Sequence, residues 1–131
     1  MTYRILVTGT RTWDDARRVY KELALAASEA DGEVVVVHGY CPRGADLFAD
    51  LWARKYAEPE PHPADWGRYG RRAGMIRNSK MAALGADVCL AFVGPCRAPG
   101  CRRPRPHDSH GTTDCVAKAM NAGIPVRVFR A

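Results

Sequence analysis

The sequence lacks any long apolar segment. No apolar run among its 131 residues approaches the roughly 20 residues that a membrane-spanning helix needs. Residues 1–7 run directly into a strand pattern, without the apolar core or the cleavage site of a signal peptide. We therefore expect a cytoplasmic protein that has no membrane partner.

Two common nucleotide-binding motifs and a disulfide framework are also missing. The glycine spacings of the dinucleotide-binding fingerprint and of the P-loop do not occur. The five cysteines are an odd number, and in a chain without a secretion signal this argues against a set of structural disulfides. The sequence thus lacks the marks of a P-loop NTPase, of a standard dinucleotide-binding domain and of a small disulfide-rich secreted protein.

The residues that are present fit one globular domain over positions 1–131. Hydrophobic residues make up 47% of the chain and charged residues 26%, which supplies a core and argues against a disordered tail or a fibre. The net charge is +6, and residues 94–131 hold seven basic but only two acidic residues. This imbalance favours a phosphate-bearing partner for that part of the chain, although solubility alone explains the same bias.

Short apolar runs have the pattern of buried parallel strands. Gly9, Gly39 and Gly94 follow the first three runs, as expected for strands that end in tight turns. A weaker extended segment at 60–63 contains two prolines, which only an edge strand tolerates. The four strong runs are residues 3–8, 33–38, 88–93 and 125–129.

Between the strands, apolar residues recur with the period of a helix. The spacing predicts helices over residues 16–27, 45–56 and 116–123, and a further helix over 71–84. This alternation predicts an α/β, doubly wound, mainly parallel sheet of about five strands with helices on both faces. Residues 94–110 are rich in proline, arginine, cysteine and histidine, and we predict one long loop there.

Four polar clusters follow the strands or begin the helices. In an open parallel sheet, ligands bind beyond the carboxyl ends of the strands, so we predict that these clusters surround one cavity. Glycine permits close backbone approach, arginine reaches phosphate, and a helix N-terminus offers free amides to an anion. The clusters are Gly9-Thr10-Arg11, Gly39 with Gly44-Ala45-Asp46, Trp66 with Arg77-Asn78, and Gly111-Thr112-Thr113.

Each cluster taken alone also has an ordinary structural explanation. The segment after Gly9 fits a plain turn, and Asp46 fits an acid favoured in a first helical turn by the helix dipole. Trp66 fits a packing side chain, and Arg77-Asn78 fits a solvated helix face. The segment after Gly111 fits a simple helix cap. No single cluster decides between ligand binding and these structural roles.

Together, the four clusters resemble the YspA-like branch of the SLOG superfamily. The similarity runs from Arg4 to Val128, with the loop at 94–110 as an insertion. SLOG proteins are similar to Rossmann-type domains and bind nucleotides or nucleotide-derived ligands. The superfamily includes the cytokinin-activating phosphoribohydrolases and the DNA-processing protein of natural transformation. The resemblance implies a Rossmann-like fold and a nucleotide-derived ligand.

The resemblance also implies roles for particular residues. Arg77 matches the helix arginine that is catalytic in the phosphoribohydrolases, but Cys115 stands where those enzymes have a catalytic glutamate. Asp114 is one residue away, and one residue on a helix turns a side chain by about 100°. The catalytic candidates are thus Arg77 and Asp114, with hydrolysis of an N-glycosidic bond in doubt. The matches to the ligand-binding loops are Gly9, Arg11, Gly44, Asp46, Gly111 and Thr112.

The long loop contains a candidate metal site. Cys96, Cys101, His107 and His110 are separated by four, five and two residues, and two thiolates with two imidazoles can bind zinc tetrahedrally. Such a structural zinc ion would tie down a loop that has few apolar anchors. A reversible Cys96–Cys101 pairing and unliganded side chains are the alternatives.

Three functions remain open at this point. The leading hypothesis is a sensor or carrier domain that binds a nucleotide or nucleotide-derived molecule. The second is a nucleotide-processing enzyme of the phosphoribohydrolase type, in which Arg77 supplies charge and Asp114 acts as acid or base. The third is a nucleic-acid-binding protein that uses the arginines of the loop. The sequence does not decide whether the chain forms a homo-oligomer.

Overall fold

The computed structural model describes all 131 residues and contains one five-stranded sheet. The helices are α1 (Ala16–Ala27), α2 (Ala45–Tyr56), α3 (Trp66–Tyr69), α4 (Ala73–Leu84) and α5 (His110–Asn121), with a 3-10 turn at Gly70–Arg72 before α4. The strands are β1 (Thr2–Gly9), β2 (Glu33–His38), β3 (Glu58–Pro61), β4 (Val88–Val93) and β5 (Val126–Arg130). No helix is long and apolar enough to cross a membrane.

All strand pairs are parallel, and the strand order is β3-β2-β1-β4-β5. The chain moves outward from β1 through β2 to β3, and then returns to place β4 on the other side of β1. This arrangement confirms the predicted Rossmann-like, doubly wound fold. It also puts the reversal of strand order between β1 and β4, where a crevice opens at the carboxyl ends of the strands.

The core has one layer on each face of the sheet. On one face, Ile5 and Val7 pack with buried residues of α1 and α2, including Leu23 and Ala49. On the other face, Leu6 packs with residues of α4 and α5, including Met81. Because successive side chains of a strand point to opposite faces, a strand covered on both sides must be apolar throughout. The sequences of β1 and β4 are therefore continuous apolar runs.

The edge strand lies two residues earlier than the sequence predicts. β3 spans Glu58–Pro61 rather than residues 60–63, and its partner is β2 alone. Pro59 and Pro61 are tolerated because one side of an edge strand needs no backbone donor. Arg4 fixes this edge by donating from both terminal nitrogens to Glu60, at 2.8 and 2.9 Å.

The last helix begins earlier than its apolar stripe indicates. α5 starts at His110 and not near Val116, so the Gly111-Thr112-Thr113 segment forms the first turn of the helix instead of preceding it. Ser109 occupies the cap position, and the Thr113 amide donates to its carbonyl at 3.1 Å. Burial of Thr112 and Cys115 against the sheet extends the helix through residues of low intrinsic helix propensity.

Candidate functional site: a cavity at the sheet edge and a metal-binding cluster

A cavity of about 700 Å³ opens at the carboxyl edge of the sheet, and this volume is within the range of small-molecule sites. Its walls come from the segments after β1, β2 and β4, from α4 and from the first turn of α5. Segments far apart in sequence meet here because all strands point the same way. The predicted ligand residues that line it are Gly9, Thr10, Arg11, Gly39, Asp46, Trp66, Arg77, Asn78, Gly111 and Thr112.

Four other residues predicted for the site do not line this cavity. Gly44 caps α2 and Ala45 is its first residue. Ala45 packs so closely against the end of β1 that a side chain at Gly9 would collide with it. The exposed Thr113 hydroxyl donates to the Ser109 carbonyl at 2.9 Å. Asp114 accepts from Lys118 at 2.9 Å and from Asn78 at 3.1 Å. Gly44, Ala45, Thr113 and Asp114 therefore support the walls without lining them.

Arg77 and Asn78 join three walls of the cavity. Arg77 Nη1 donates to the carbonyl of Gly39 at the end of β2, and Arg77 Nε donates to Asn78 Oδ1 at 2.9 Å. Asn78 Nδ2 in turn donates to the Gly111 carbonyl in α5 at 3.3 Å. Arg77 has no carboxylate partner within salt-bridge distance. Its Nη2 donors make no hydrogen bond within the chain and remain free for a ligand.

Asp46 is the one carboxylate on the lining. It lies in the first turn of α2, is 8% exposed, and its Oδ2 accepts from the Cys41 amide at 3.4 Å. Burial raises the pKa of Asp46, although the charge of Arg77 and the hydrogen bond from the Cys41 amide act in the opposite direction. Its position satisfies both earlier interpretations, since it is a first-turn acid of a helix and it also faces the cavity.

A buried histidine holds the segment after β2 in place. His38 is 1% exposed, and its Nδ1 accepts from the Tyr40 amide at 3.0 Å. The proton of the ring is therefore on Nε2, which donates to Asp50 Oδ1 at 2.9 Å. Burial favours the protonated form of Asp50, but hydrogen bonds from Arg54 and His38 outweigh it and hold the pKa of Asp50 below its ordinary value. This network fixes Tyr40, whose φ of 56° is unusual for a residue other than glycine.

Three hydroxyl groups connect β1, β4 and α5 at the base of the cavity. Thr10 Oγ1 accepts from the Gly94 amide at 2.7 Å and lies 2.8 Å from Ser109 Oγ. Ser109 Oγ donates to Thr112 Oγ1 at 2.8 Å, so the Thr10 hydroxyl is the donor to Ser109. The free amides of the first turn of α5 follow this series of hydroxyl groups, and the N-terminus of a helix favours an anion.

The charge of the lining is strongly positive. Arg11, Arg43, Arg77 and Arg97 line the cavity, and none of them is paired with a carboxylate within the chain. Arg11 also lies 5.7 Å from the ring centre of Trp66, whose indole is half exposed. Free arginines beside an accessible aromatic ring can bind a phosphate and stack on a planar base.

Sequence reasoning missed several lining residues. Ala98 and Pro99 belong to the long loop, and Ser109 precedes α5. Arg97 is one of the loop arginines for which the sequence offered contact with ligand phosphates or nucleic acid, and it is the one that lines the cavity. The antiparallel bridge between Pro95 and Asp108 folds this loop back over the sheet edge, and no sequence spacing predicts such a return. Arg43 also lines the cavity and directly precedes the predicted Gly44, but it was not among the predicted ligand residues. Its position directly before the start of α2 was the available signal.

The four predicted metal ligands converge in space. One ligand atom from each of Cys96, Cys101, His107 and His110 lies within 4.8 Å of all the others. Cys101 Sγ lies 3.5 Å from His107 Nε2 and 3.6 Å from His110 Nε2, and the two Nε2 atoms lie 3.0 Å apart. Tetrahedral zinc with ordinary bond lengths separates its ligand atoms by about 3.3 to 3.8 Å. The two sulfur–nitrogen distances are in this range and the nitrogen–nitrogen distance is shorter, so the group could hold a metal ion after small side-chain movements.

The surroundings of these side chains also suit a metal. His107 Nδ1 lies 2.9 Å from the Pro104 carbonyl, so it carries the proton and leaves the Nε2 lone pair facing the cluster. The Arg103 amide donates to Cys101, and this bond together with His107 holds the pKa of the Cys101 thiol below its ordinary value. All five cysteines are free thiols. A Cys96–Cys101 disulfide is therefore absent from this arrangement, and the cluster can hold a metal.

Comparison with known proteins assigns the chain to a family. Residues 3–69 match the model of the YspA, cpYpsA-related SLOG family. The chain belongs to this SLOG family. The Gene 61 protein of Mycobacterium phage D29 is similar to it, with 43% identity over 132 aligned residues that cover 96% of this chain and 95% of the phage protein. No solved structure matches the chain.

Family membership makes the position of Cys115 informative. In this SLOG protein Cys115 is fully buried, and burial raises its pKa to about 11. A buried neutral thiol cannot replace a catalytic glutamate as an acid or base near neutral pH. The neighbouring Asp114 lies outside the cavity lining. If Cys115 occupies the position of the phosphoribohydrolase glutamate, as the resemblance implies, no carboxylate stands at that position in this chain.

Proposed function

We propose that this protein binds a nucleotide or a nucleotide-derived molecule in the cavity at the sheet edge, as a sensor or carrier domain. One observation carries the proposal: four arginines without carboxylate partners line the same cavity as the first turn of α5. An arginine without a carboxylate partner favours an anionic ligand, most strongly at Arg77, which is the one of the four that is partly buried. Family membership agrees with a nucleotide-related ligand.

The lining divides into regions with different chemistry. We assign the phosphate to Gly111 and Thr112 of α5, with Arg77 and Arg97 as the neighbouring cations. A charge-assisted hydrogen bond in such a site contributes about 1.5–3 kcal/mol. We assign the base to Trp66, on whose exposed ring it can stack, and a ribose hydroxyl to Asp46.

We also propose that Cys96, Cys101, His107 and His110 bind one structural zinc ion. The convergence of the four side chains supports this assignment. Zinc would supply a cross-link and no reactive group, because four protein ligands leave no open coordination position. Thiolate ligands require a reducing compartment such as the cytoplasm that we expect from the sequence.

Mass spectrometry of small molecules released from the purified protein tests the main proposal. We expect a nucleotide or a nucleotide-derived compound in about equimolar amount, or, if the ligand is lost, stabilisation by nucleoside mono- and diphosphates in a thermal-shift screen. Absence of any such compound together with no thermal shift across the screen would refute the proposal.

Turnover and DNA-binding assays of the same purified protein distinguish the two alternative functions from the main proposal. Turnover of added nucleoside monophosphates would favour the enzyme, and its loss in Arg77→Ala but not in Asp114→Asn would exclude Asp114 as acid or base. Salt-sensitive binding of duplex DNA that is abolished by replacing Arg102, Arg103 and Arg105 would favour the nucleic-acid-binding alternative. These three arginines are exposed and do not line the cavity. Because Arg105 donates to the carbonyl of the lining residue Ala98 at 2.7 Å, the double replacement of Arg102 and Arg103 is the variant that leaves the lining contacts unchanged.

A further inference from the structure

The metal-binding cluster and the ligand cavity share one wall. Cys96 and His110 belong to the cluster and also line the cavity, and Arg97 follows Cys96 directly. The same loop contributes Ala98 and Pro99 to the lining. A change in the position of the cluster therefore moves an arginine and the beginning of α5 relative to the rest of the cavity.

Little besides the cluster holds this wall in place. The two arms of the loop are joined near the sheet, where the Cys96 amide donates to the His107 carbonyl at 2.7 Å and the Ser109 amide donates to the Gly94 carbonyl at 3.1 Å. Beyond these bonds, residues 97–100 and 102–106 are exposed, and one further hydrogen bond joins the two arms, from Arg105 Nη2 to the Ala98 carbonyl at 2.7 Å. An exposed segment without apolar anchors is ordered only by its cross-links.

We propose that the metal cluster is part of the ligand site: a zinc ion on Cys96, Cys101, His107 and His110 fixes Arg97 and the first turn of α5 in the cavity wall, so that zinc and nucleotide phosphate bind with positive coupling. This inference rests on the ligand cavity proposed above. Cys101 and His107 lie on the far side of the cluster and do not line the cavity. Their side chains contact the lining within the cluster, where they lie 3.6 and 3.0 Å from His110, and a bound metal would couple them to it more strongly.

Coupling of this kind is reciprocal. If zinc raises the affinity for a nucleotide by some factor, the nucleotide raises the affinity for zinc by the same factor. We expect a factor of about ten, which is within the usual range for two coupled sites. A metal that only stabilised a distant loop would give a factor of one.

The experiment uses AMP and ADP as probes of the full-length protein under reducing conditions. Calorimetry gives their dissociation constants for the zinc-loaded protein, for the protein stripped with a chelator, and for Cys101→Ser/His107→Gln, which removes two metal ligands but no lining residue. Competition with a chromophoric chelator gives the zinc affinity with and without AMP. Arg102→Gln is the matched loop control, because Arg102 is exposed, lies outside the lining and is no metal ligand.

We expect AMP to bind about tenfold more weakly to the stripped protein and to the double variant than to the zinc-loaded parent. Zinc-loaded Arg102→Gln should bind AMP as tightly as the parent. We also expect zinc to slow hydrogen exchange at the amides of Cys96 and Ser109, with the strands unchanged as a control for folding. Equal AMP affinity with and without zinc, unchanged exchange at these amides, or no zinc binding by the parent would overturn this inference while the cavity proposal stands. If neither probe nor any other nucleoside phosphate binds either form, the proposed function fails and this inference fails with it.

Discussion

At the scale of single residues, the site depends on arginines that have no carboxylate partner. Most charged pairs of the chain lie elsewhere, such as Arg127 with Glu29 and Arg130 with Asp108. Arg77 differs because its only bonds are to carbonyl and amide oxygens of the cavity walls. Its charge has no carboxylate in ion-pair contact, although Asp46 lies close enough to interact with it, and an anion bound in the cavity would compensate it more fully.

Arg77→Lys should weaken nucleotide binding about 10- to 100-fold. Lysine keeps the charge but loses the fork that can bind a phosphate while also holding the Gly39 carbonyl. Calorimetry with the best nucleotide of the screen measures the effect. Arg71→Lys, on the exposed turn before α4, is the control and should bind like the parent. Equal affinity in Arg77→Lys and Arg71→Lys would remove Arg77 from the site.

Glu60→Gln should destabilise the fold by about 1 kcal/mol at pH 7, a value discounted for partial exposure. The hydrogen bonds from Arg4 lower the pKa of Glu60 to about 2. Because the pKa is lower in the folded state, the carboxylate stabilises the fold above its ordinary pKa and loses this effect as the pH falls towards 2.

The difference in unfolding free energy between the parent and Glu60→Gln should therefore shrink between pH 5 and pH 3, as urea denaturation would show. Glu58→Gln is the control, since Glu58 is exposed on the same strand and forms no ion pair. A difference that stays constant with pH would show that the Arg4–Glu60 pair does not stabilise the fold.

Residue types were predicted better than residue contacts. Ten of the thirteen predicted ligand residues line the cavity, because a parallel sheet brings the ends of its strands together and the clusters stood at those ends. Gly44, Ala45 and Thr113 were chosen from the same motifs, but a one-residue step along a helix or turn decides which side chain faces the cavity. A sequence motif does not determine which of its side chains faces the cavity.

At the scale of elements, close backbone contacts decide where the helices begin. Gly44 precedes α2 with φ of 77° and ψ of −154°, a conformation restricted to glycine. A Cβ there would collide with the Thr10 carbonyl and the backbone of Arg11. α2 can therefore start directly against the segment after β1, and Asp46 in its first turn reaches the cavity.

Gly44→Ala should destabilise the protein by about 2 kcal/mol or more, from backbone strain together with the collision. Gly123→Ala is a matched control, because Gly123 also has a positive φ but open space around it. Urea denaturation of both variants separates the two contributions. A cost for Gly44→Ala no larger than that for Gly123→Ala would show that the contact between α2 and the β1 segment is unimportant.

The elements that sequence reasoning misplaced are those fixed by distant contacts. The apolar runs of β1, β2 and β4 and the stripes of α1 and α2 are local signals, and they were found at nearly their true bounds. The limits of β3 depend on its pairing with β2, and the start of α5 depends on Ser109 and on burial of Thr112. Neither interaction leaves a periodic signal in the sequence.

At the scale of the whole molecule, the cavity and the metal-binding cluster lie at the same edge of the sheet. The reversal of strand order between β1 and β4 opens the crevice, and the long loop after β4 folds back over it. The basic excess of residues 94–131 is in part the arginine contribution to that loop. Ligand binding and metal binding are therefore expected at the same end of the protein.

Removal of zinc should lower the thermal midpoint of unfolding by roughly 5 °C or more, because an ion that binds only the folded arrangement stabilises it by an amount that grows with the logarithm of the free ion concentration over the dissociation constant. Calorimetric scans of reduced protein with and without a chelator measure this shift. Cys101→Ser should unfold at the chelated value in both conditions. An identical midpoint in all samples would contradict a structural zinc site.

The central claim is that the cavity binds nucleotide phosphate, and chemical-shift mapping tests it most directly. Nucleoside mono- and diphosphates would be added to isotope-labelled, zinc-loaded protein while backbone amide signals are recorded. We predict shifts at Gly9 to Arg11, Gly39 to Arg43 and Gly111 to Thr112, with the groove between Tyr20 and Tyr56 on α1 and α2 unchanged. No shift with any nucleotide, or shifts confined to that groove, would contradict the claim.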